Sequence, residues 1–433
     1  MCGVVCEFVV SVPTVRLKPG HVQPVWAGHP WVYAQAVDRI EGGATRGDEV
    51  EVRDPRGNFL GRGFYTPGSA IVVRILVRDE KAPIDGELFR SRFEDAARLR
   101  AELGLGETSE EPSAIRGRTM GHGARPDLAL AASAGAPTTG YRLVHAEGDG
   151  VPGLVVDRFG DVLCVQFLTA GMKLRERMIL DALEAVFSPR AIVDRTPTRV
   201  AKIEAFTPDE GVVRGDEKTN VLSFREHGLA WEVPLELGQK TGFYFDQREL
   251  RARVAQLAKG RRVLDAYAYI GAFGLACARG GATEVVSVDE SATAIEIGAE
   301  HALRAGLSDR VSFQRGDARD VMRAAKGSFD LTIVDPPRLA PKRSSRDAAL
   351  VEYTKLAELG CRATRPGGIV VFCSCSAAVD LTALTRALAT GALRANVQAR
   401  VFERWFQGPD HPVGAAFGEG LYLKALVAWV VPR

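Results

Sequence analysis

The chain has 433 residues, too many for one ordinary domain, so two or three are expected. Its 46% hydrophobic and 25% charged residues are those of a globular protein, not a disordered or fibrous one. No apolar run is long enough to cross a bilayer, so no membrane partner is expected. A net charge of +2 neither demands nor excludes a nucleic-acid partner, because local patches count for more than the sum. The seven cysteines are scattered and lack Cys-x-x-Cys spacing, which points to reduced cytoplasmic thiols and to no zinc or other metal site.

Residues 1–14 read as an N-terminal extension. The apolar start is short, lacks a basic lead and is interrupted by Glu7, unlike a signal peptide. Residues 15–84 hold short strands: Val50–Asp54 alternates, Pro55-Arg-Gly57 turns, and Phe59–Tyr65 and Ala70–Val77 follow, a small β-barrel pattern. Residues 85–105 carry a helical period that turns Leu88, Phe89, Phe93, Ala96, Ala97 and Leu99 to one side. Gly, Ser, Ala, Pro and Thr then dominate 106–139, as expected of a mobile insert.

Residues 140–236 read as a middle α+β domain. A hairpin turns at Gly160-Asp161, a helix runs over 173–187 and a short strand over 191–193. Leu222–Glu226 then pairs with Leu229–Val233 across His227-Gly228. Over 237–433, helices alternate with apolar strands at 263–267, 284–288, 311–313, 330–334 and 368–373. That alternation predicts an α/β domain with a mostly parallel sheet, a Rossmann-like class.

Chemistry concentrates at the ends of those strands. Asp265-Ala-Tyr267 leads into a turn with Gly271, Phe273 and Gly274, where a helix start can offer N–H groups to a carboxylate. Asp289 ends the second strand, placed to accept from ribose hydroxyls. Asp317 follows the third, where an acid can accept from an adenine amino group; a plain helix N-cap explains it equally well. Asp335-Pro-Pro337 ends the fourth strand, and Arg338 and Leu339 stand where amino-directed methyltransferases carry an aromatic residue. Cys375, in Phe372-Cys-Ser-Cys-Ser376, ends the fifth. A thiolate there suits addition to carbon 6 of a pyrimidine, which turns carbon 5 into a nucleophile. Cys373 ranks behind it, and Cys277 and Cys361 read as packing. Basic residues cluster at Lys259, Arg261 and Arg262, and at Arg338, Lys342, Arg343 and Arg346 beside the Asp-Pro-Pro loop.

These motifs, in this order, resemble the bacterial large-subunit ribosomal RNA methyltransferase I family. Gly28-His-Pro-Trp-Val-Tyr33 and Gly61-Arg-Gly-Phe-Tyr65 are similar to its PUA domain, Tyr141–Asp157 to its middle domain, and Gly238–Arg248 to the signature before its S-adenosylmethionine (SAM) fold. Asp410-His-Pro412 and Glu419–Lys424 are similar to its C-terminal end. Two positions depart, His301 and Ala305, where the family has asparagines.

The resemblance implies a PUA barrel, a middle α+β domain and a Rossmann-like class I SAM methyltransferase domain. It implies SAM as cofactor, held by Asp265, Tyr267, Gly271, Phe273, Asp289, Asp317 and Asp335 with Phe245, Gln247 and Arg248. RNA contacts fall to Lys240, Arg338 and Lys342. It makes Cys375 the nucleophile and Asp335 the residue that orients the cytosine, with no second cysteine after Asp335-Pro336 and no named base for the carbon 5 proton. The partner implied is 23S rRNA, with a homodimer as an open option. The competing readings are a SAM enzyme on another RNA site or a small molecule, and a noncatalytic RNA-binding assembly protein.

Overall fold

A computed structural model describes residues 12–106, 137–237, 241–340 and 343–433. Nearly all of the extension and of the 106–139 insert, together with Lys240 and Lys342, lie outside the described residues. The chain divides into two units. The first takes the residues up to Leu103, Arg142–Thr219 and Asp410–Gly420; the second takes Asn220–Pro409 and Leu421–Arg433, with the short stretch that ends at Tyr141.

In the first unit, strands Thr14–Leu17, Trp31–Tyr33, Val37–Glu41, Glu49–Arg53, Phe59–Tyr65 and Ile71–Val77 form one six-stranded sheet. Val15, Leu17, Val50, Val52, Val73 and Ile75 point into a shared core, the inward half of the alternation. The helix Gly86–Glu102 starts where Asp85 accepts the Leu88 N–H at 3.0 Å. It buries Phe89, Phe93 and Ala96, but its fourth buried position is Arg100 and not the expected Leu99, which is exposed. The guanidinium is drawn inward by the Asp149 carboxylate, at 2.6 and 2.8 Å. A second sheet, of five strands, contains the hairpin Leu154–Phe159/Val162–Phe167, with Val162–Phe167 in turn parallel to Ala191–Asp194.

In the second unit, the hairpin Val221–Glu226/Leu229–Pro234 turns through His227 and Gly228, both left-handed. A seven-stranded sheet follows. Its strands are β1 (Arg262–Ala266), β2 (Glu284–Asp289), β3 (Val311–Arg315), β4 (Phe329–Val334), β5 (Thr364–Ser374), β6 (Val397–Trp405) and β7 (Lys424–Pro432). Their order is β3-β2-β1-β4-β5-β7-β6, with β1 to β5 parallel and β7 antiparallel to both neighbours. Helices α1 (Arg248–Leu257), α2 (Ala272–Arg279), α3 (Ala292–Arg304), α4 (Ala318–Ala325), α5 (Arg346–Ala363) and α6 (Leu381–Arg394) alternate with the strands. Leu264, Val334, Val370, Phe372, Leu426 and Ala428 of the sheet pack with Tyr353, Leu356, Leu384 and Leu388 of α5 and α6. Each fully buried Leu or Phe there contributes about 2 kcal/mol of transfer free energy. The order reverses between β1 and β4, which opens a crevice at the carboxyl ends of the strands, where sheets of this kind bind ligands.

Candidate active site

The turn after β1 is bent further than its glycines alone require. Tyr267 (φ 66°), Tyr269 (φ 52°) and Gly271 (φ 78°) are all left-handed, a conformation that costs a tyrosine about 1 kcal/mol or more. The surroundings hold it there. The Tyr269 N–H donates to Asp289 Oδ2 at 2.8 Å, and its hydroxyl to the Gly242 carbonyl at 3.0 Å. A Cβ on Gly271 would lie 2.5 Å from the Phe313 ring, and one on Gly274 2.3 Å from Ser287 Oγ. The room these glycines leave is thus filled by protein, letting α2 seat against β1, β2 and β3.

Asp265 accepts the Gly274 N–H at 2.8 Å and is buried. Burial pushes its carboxyl up to about 7; Asp335 and Asp289 add to the rise, and the Gly274 N–H and Arg251 oppose it. Asp289 ends β2 half-buried, its Oδ1 accepting the Ser291 N–H at 2.9 Å. Asp317 caps α4 by accepting the Arg319 N–H at 2.8 Å while staying half-exposed, so the cap does not preclude a ligand contact. Tyr267 lies beyond β1, its phenol pushed up to about 12, chiefly by burial.

At β4 and β5 the side chains converge. Gln247 donates its Nε2–H to Asp335 Oδ2 at 2.8 Å. Its Oε1 is buried without a hydrogen-bond partner, an acceptor left for a ligand's donor. Cys375 directly follows β5 and is half-buried, whereas Cys164, Cys277, Cys361 and Cys373 are buried. Burial pushes the Cys361 thiol up to about 12 and those of Cys277 and Cys373 well above the usual range. β5 stops at Ser374, so Cys373 stays inside the sheet. Burial also raises the Tyr244 phenol, with Tyr269, Asp335, Asp246 and Cys375 as its acidic neighbours, which sets the aspartate and the cysteine in one neighbourhood.

The serines on either side of Cys375 fix its turn. Ser374 Oγ donates to the Tyr353 hydroxyl at 2.8 Å, and that hydroxyl lies 3.1 Å from Ser376 Oγ. Ser376 Oγ also accepts the Ala340 N–H at 3.1 Å, which ties this turn to the Asp335-Pro-Pro loop. The Ser376 carbonyl accepts from Lys424 Nζ at 2.9 Å. Motif reading did not find Tyr353 or the roles of Ser374, Ser376 and Lys424; the sequence signals were the serines flanking the cysteine and the Glu419–Lys424 motif.

Other expected residues divide. Phe245 packs in an aromatic cluster with Phe224 and Phe243, ring centroids 5.3 Å from each. Phe273 is buried under the Arg251 guanidinium, 5.9 Å from its ring centroid. Both rings, expected at the cofactor, have these protein neighbours. Arg248 is buried at the start of α1, and Arg338 is exposed beside Asp335. His301 accepts the Glu232 N–H at 3.0 Å and packs on Trp231, a structural role.

A seven-stranded sheet in this order with acids at its strand ends defines a SAM-dependent methyltransferase. Residues 141–416 match the model of the S-adenosylmethionine-dependent methyltransferase family, and residues 15–78 match a PUA-like domain. The chain belongs to the ribosomal RNA large subunit methyltransferase I family. Proteins of that name from Shewanella denitrificans, Photobacterium profundum and Erwinia tasmaniensis are 33%, 32% and 32% identical to it, over 96% of this chain and 99–100% of theirs. Two solved structures share the fold. SMU.776, solved with S-adenosylhomocysteine, superimposes at a TM-score of 0.78 and 18% identity, and a Streptococcus mutans protein at 0.77 and 17%; each covers 97% of this chain and 100% of its own. The cofactor is SAM, and the site fits it: half-buried carboxylates stand at the ends of β2 and β4, and Gln247 Oε1 awaits a donor. Among the described residues no helix is long and apolar enough to cross a membrane.

Proposed function

We propose that this chain methylates carbon 5 of a cytidine in 23S rRNA in the cytoplasm, with Cys375 as the nucleophile. The observation that carries the reading is the half-exposed thiol of Cys375 at the end of β5, next to the Asp335-Pro-Pro loop. The relatives' name supplies ribosomal RNA, and the PUA-like domain is the kind of module that holds RNA. SAM, when bound, supplies an electrophilic methyl group, and Asp289, Asp317, Tyr267, Asp265, Gln247 and Asp335 are the residues that would hold it. The Cys375 thiolate adds to carbon 6 of the cytosine, and the electron pair of the 5,6 double bond moves to carbon 5. Carbon 5 takes the methyl group; loss of its proton then expels the thiolate and restores the ring. Asp335, held by Gln247, orients the base through its ring nitrogen edge. Reaching carbon 6 requires the base to be unstacked, as in other enzymes that act on a base. Arg338, which is exposed, would meet the phosphates.

The test is transfer from labelled SAM to rRNA from cells lacking the enzyme, followed by separation of the nucleosides. Label in 5-methylcytidine of 23S rRNA is expected, with Cys375→Ala slower by on the order of a thousandfold or more. Label in another nucleoside, or transfer that survives Cys375→Ala, sinks the cysteine mechanism.

A further inference from the structure

Lys424 is the one buried lysine among the described residues, at 4% exposure. It opens β7, directly opposite Ser374 in the antiparallel register with β5, and Ser374 is the residue before Cys375. Its Nζ is fixed by the Ser376 carbonyl at 2.9 Å, on the residue after the cysteine. β7 is paired on both sides, by β5 and β6, and the buried ammonium is held at the turn that carries the thiol.

Tyr244, Tyr353 and Cys373 each have both Cys375 and Asp335 as acidic neighbours, so acidic groups crowd this end of β5. Lys424 has Cys375 and Asp380 as its acidic neighbours and Arg338 as its cationic one. We propose that Lys424 is a positioning residue for catalysis: its ammonium, anchored on the Ser376 carbonyl, holds Cys375 as the thiolate that adds to carbon 6. The proposal rests on the reading of Cys375 as the nucleophile. The thiol proton leaves to water, which reaches the half-exposed sulfur, and the adjacent cation offsets the charge until the sulfur–carbon bond forms.

Burial lowers the Lys424 ammonium to about 8, and the charge of Cys375 works against that fall. The attraction is reciprocal, so the same cation favours the thiolate. At neutral pH Lys424 remains mostly protonated.

The experiment is alkylation of the full-length protein by iodoacetamide over a pH series, with the Cys375 peptide followed by mass spectrometry. Lys424→Met is expected to move the pH midpoint upward and to slow alkylation about tenfold at neutral pH, the equivalent of one pKa unit. Lys424→Arg restores the rate, which a role in packing alone would not produce. SAM affinity is measured in each variant as the control for folding. An unchanged midpoint in a Lys424→Met protein that binds SAM normally overturns the proposal. Should that variant not fold, the wild type decides: a midpoint at or above the ordinary thiol value of about 8.5 overturns the pairing, and one below it supports the pairing. Methyl transfer that survives Cys375→Ala is a different failure, that of the nucleophile reading, because alkylation reports the thiol without any transfer.

Discussion

At the scale of single residues, the site is a set of acids in different environments, and burial acts strongly on Asp265. Its carboxyl is pushed from 3.8 up to about 7, chiefly by burial. The sign follows from proton binding. Between about pH 4 and 7 the unfolded chain has released this proton while the folded chain keeps it, so stability falls as pH rises through that window and is level above it. A shift of this size corresponds to about 4 kcal/mol for the one group. Asp265→Asn in the SAM-free protein is expected to flatten this part of the curve, seen as a smaller difference between urea midpoints at pH 5 and 7.5. Equal pH dependence in the two proteins would mean that Asp265 ionises freely. Asp265, Asp289, Asp335 and Cys375 could all be picked out from sequence because each ends an apolar run, where a polar residue stands out. Tyr353 could not, and Lys424 was visible only as the end of the Glu419–Lys424 motif, without a role. Their roles depend on the pairing of β7 with β5 and on the seating of α5, contacts between residues far apart in the chain.

At the scale of elements, β5, α5 and the Asp335-Pro-Pro loop act as one support for the nucleophile. The serines on both sides of Cys375 share the Tyr353 hydroxyl, which fixes the turn that carries the cysteine. Tyr353→Phe keeps the ring in place and removes the hydroxyl that both serines share. Leaving those buried groups short of a partner costs about 1–3 kcal/mol. The expected result is a lower kcat for methyl transfer with unchanged SAM affinity; an unaltered kcat would show that the turn holds itself. The parallel strands β1, β2, β4 and β5 were legible because strands covered on both faces are continuous apolar runs. β6 and β7 were not read. β6 alternates Val397, Ala399 and Val401 with Gln398, Arg400 and Phe402 and carries no motif, and β7 joins the sheet by antiparallel pairing with β5 and β6, a long-range choice.

For the whole molecule, the chain path matters more than the order of its domains. The segment Asp410–Gly420 follows almost all of the methyltransferase sheet in sequence yet belongs to the first unit. Its attachment is a buried ionic network. Arg100 donates to both oxygens of Asp149 and to the Asp410 carbonyl at 2.7 Å, and Asp410 Oδ2 accepts the Arg142 N–H at 3.0 Å. The Asp410-His-Pro motif was visible in the sequence, but its partner was not. Helical spacing alone favours Leu99 for the inward position, and only the buried Asp149 carboxylate explains why Arg100 takes it. Breaking such a pair on one side is costly because the other charge stays buried. Arg100→Leu is expected to lower stability by about 3–5 kcal/mol, read as a fall in the urea midpoint of the first unit. Arg100→Leu combined with Asp149→Leu should recover much of that loss, since no charge is then left unpaired. A double variant as unstable as the single one would place the cost in lost packing around Arg100 and in its bonds to the Arg142 and Asp410 carbonyls, and not in the stranded carboxylate.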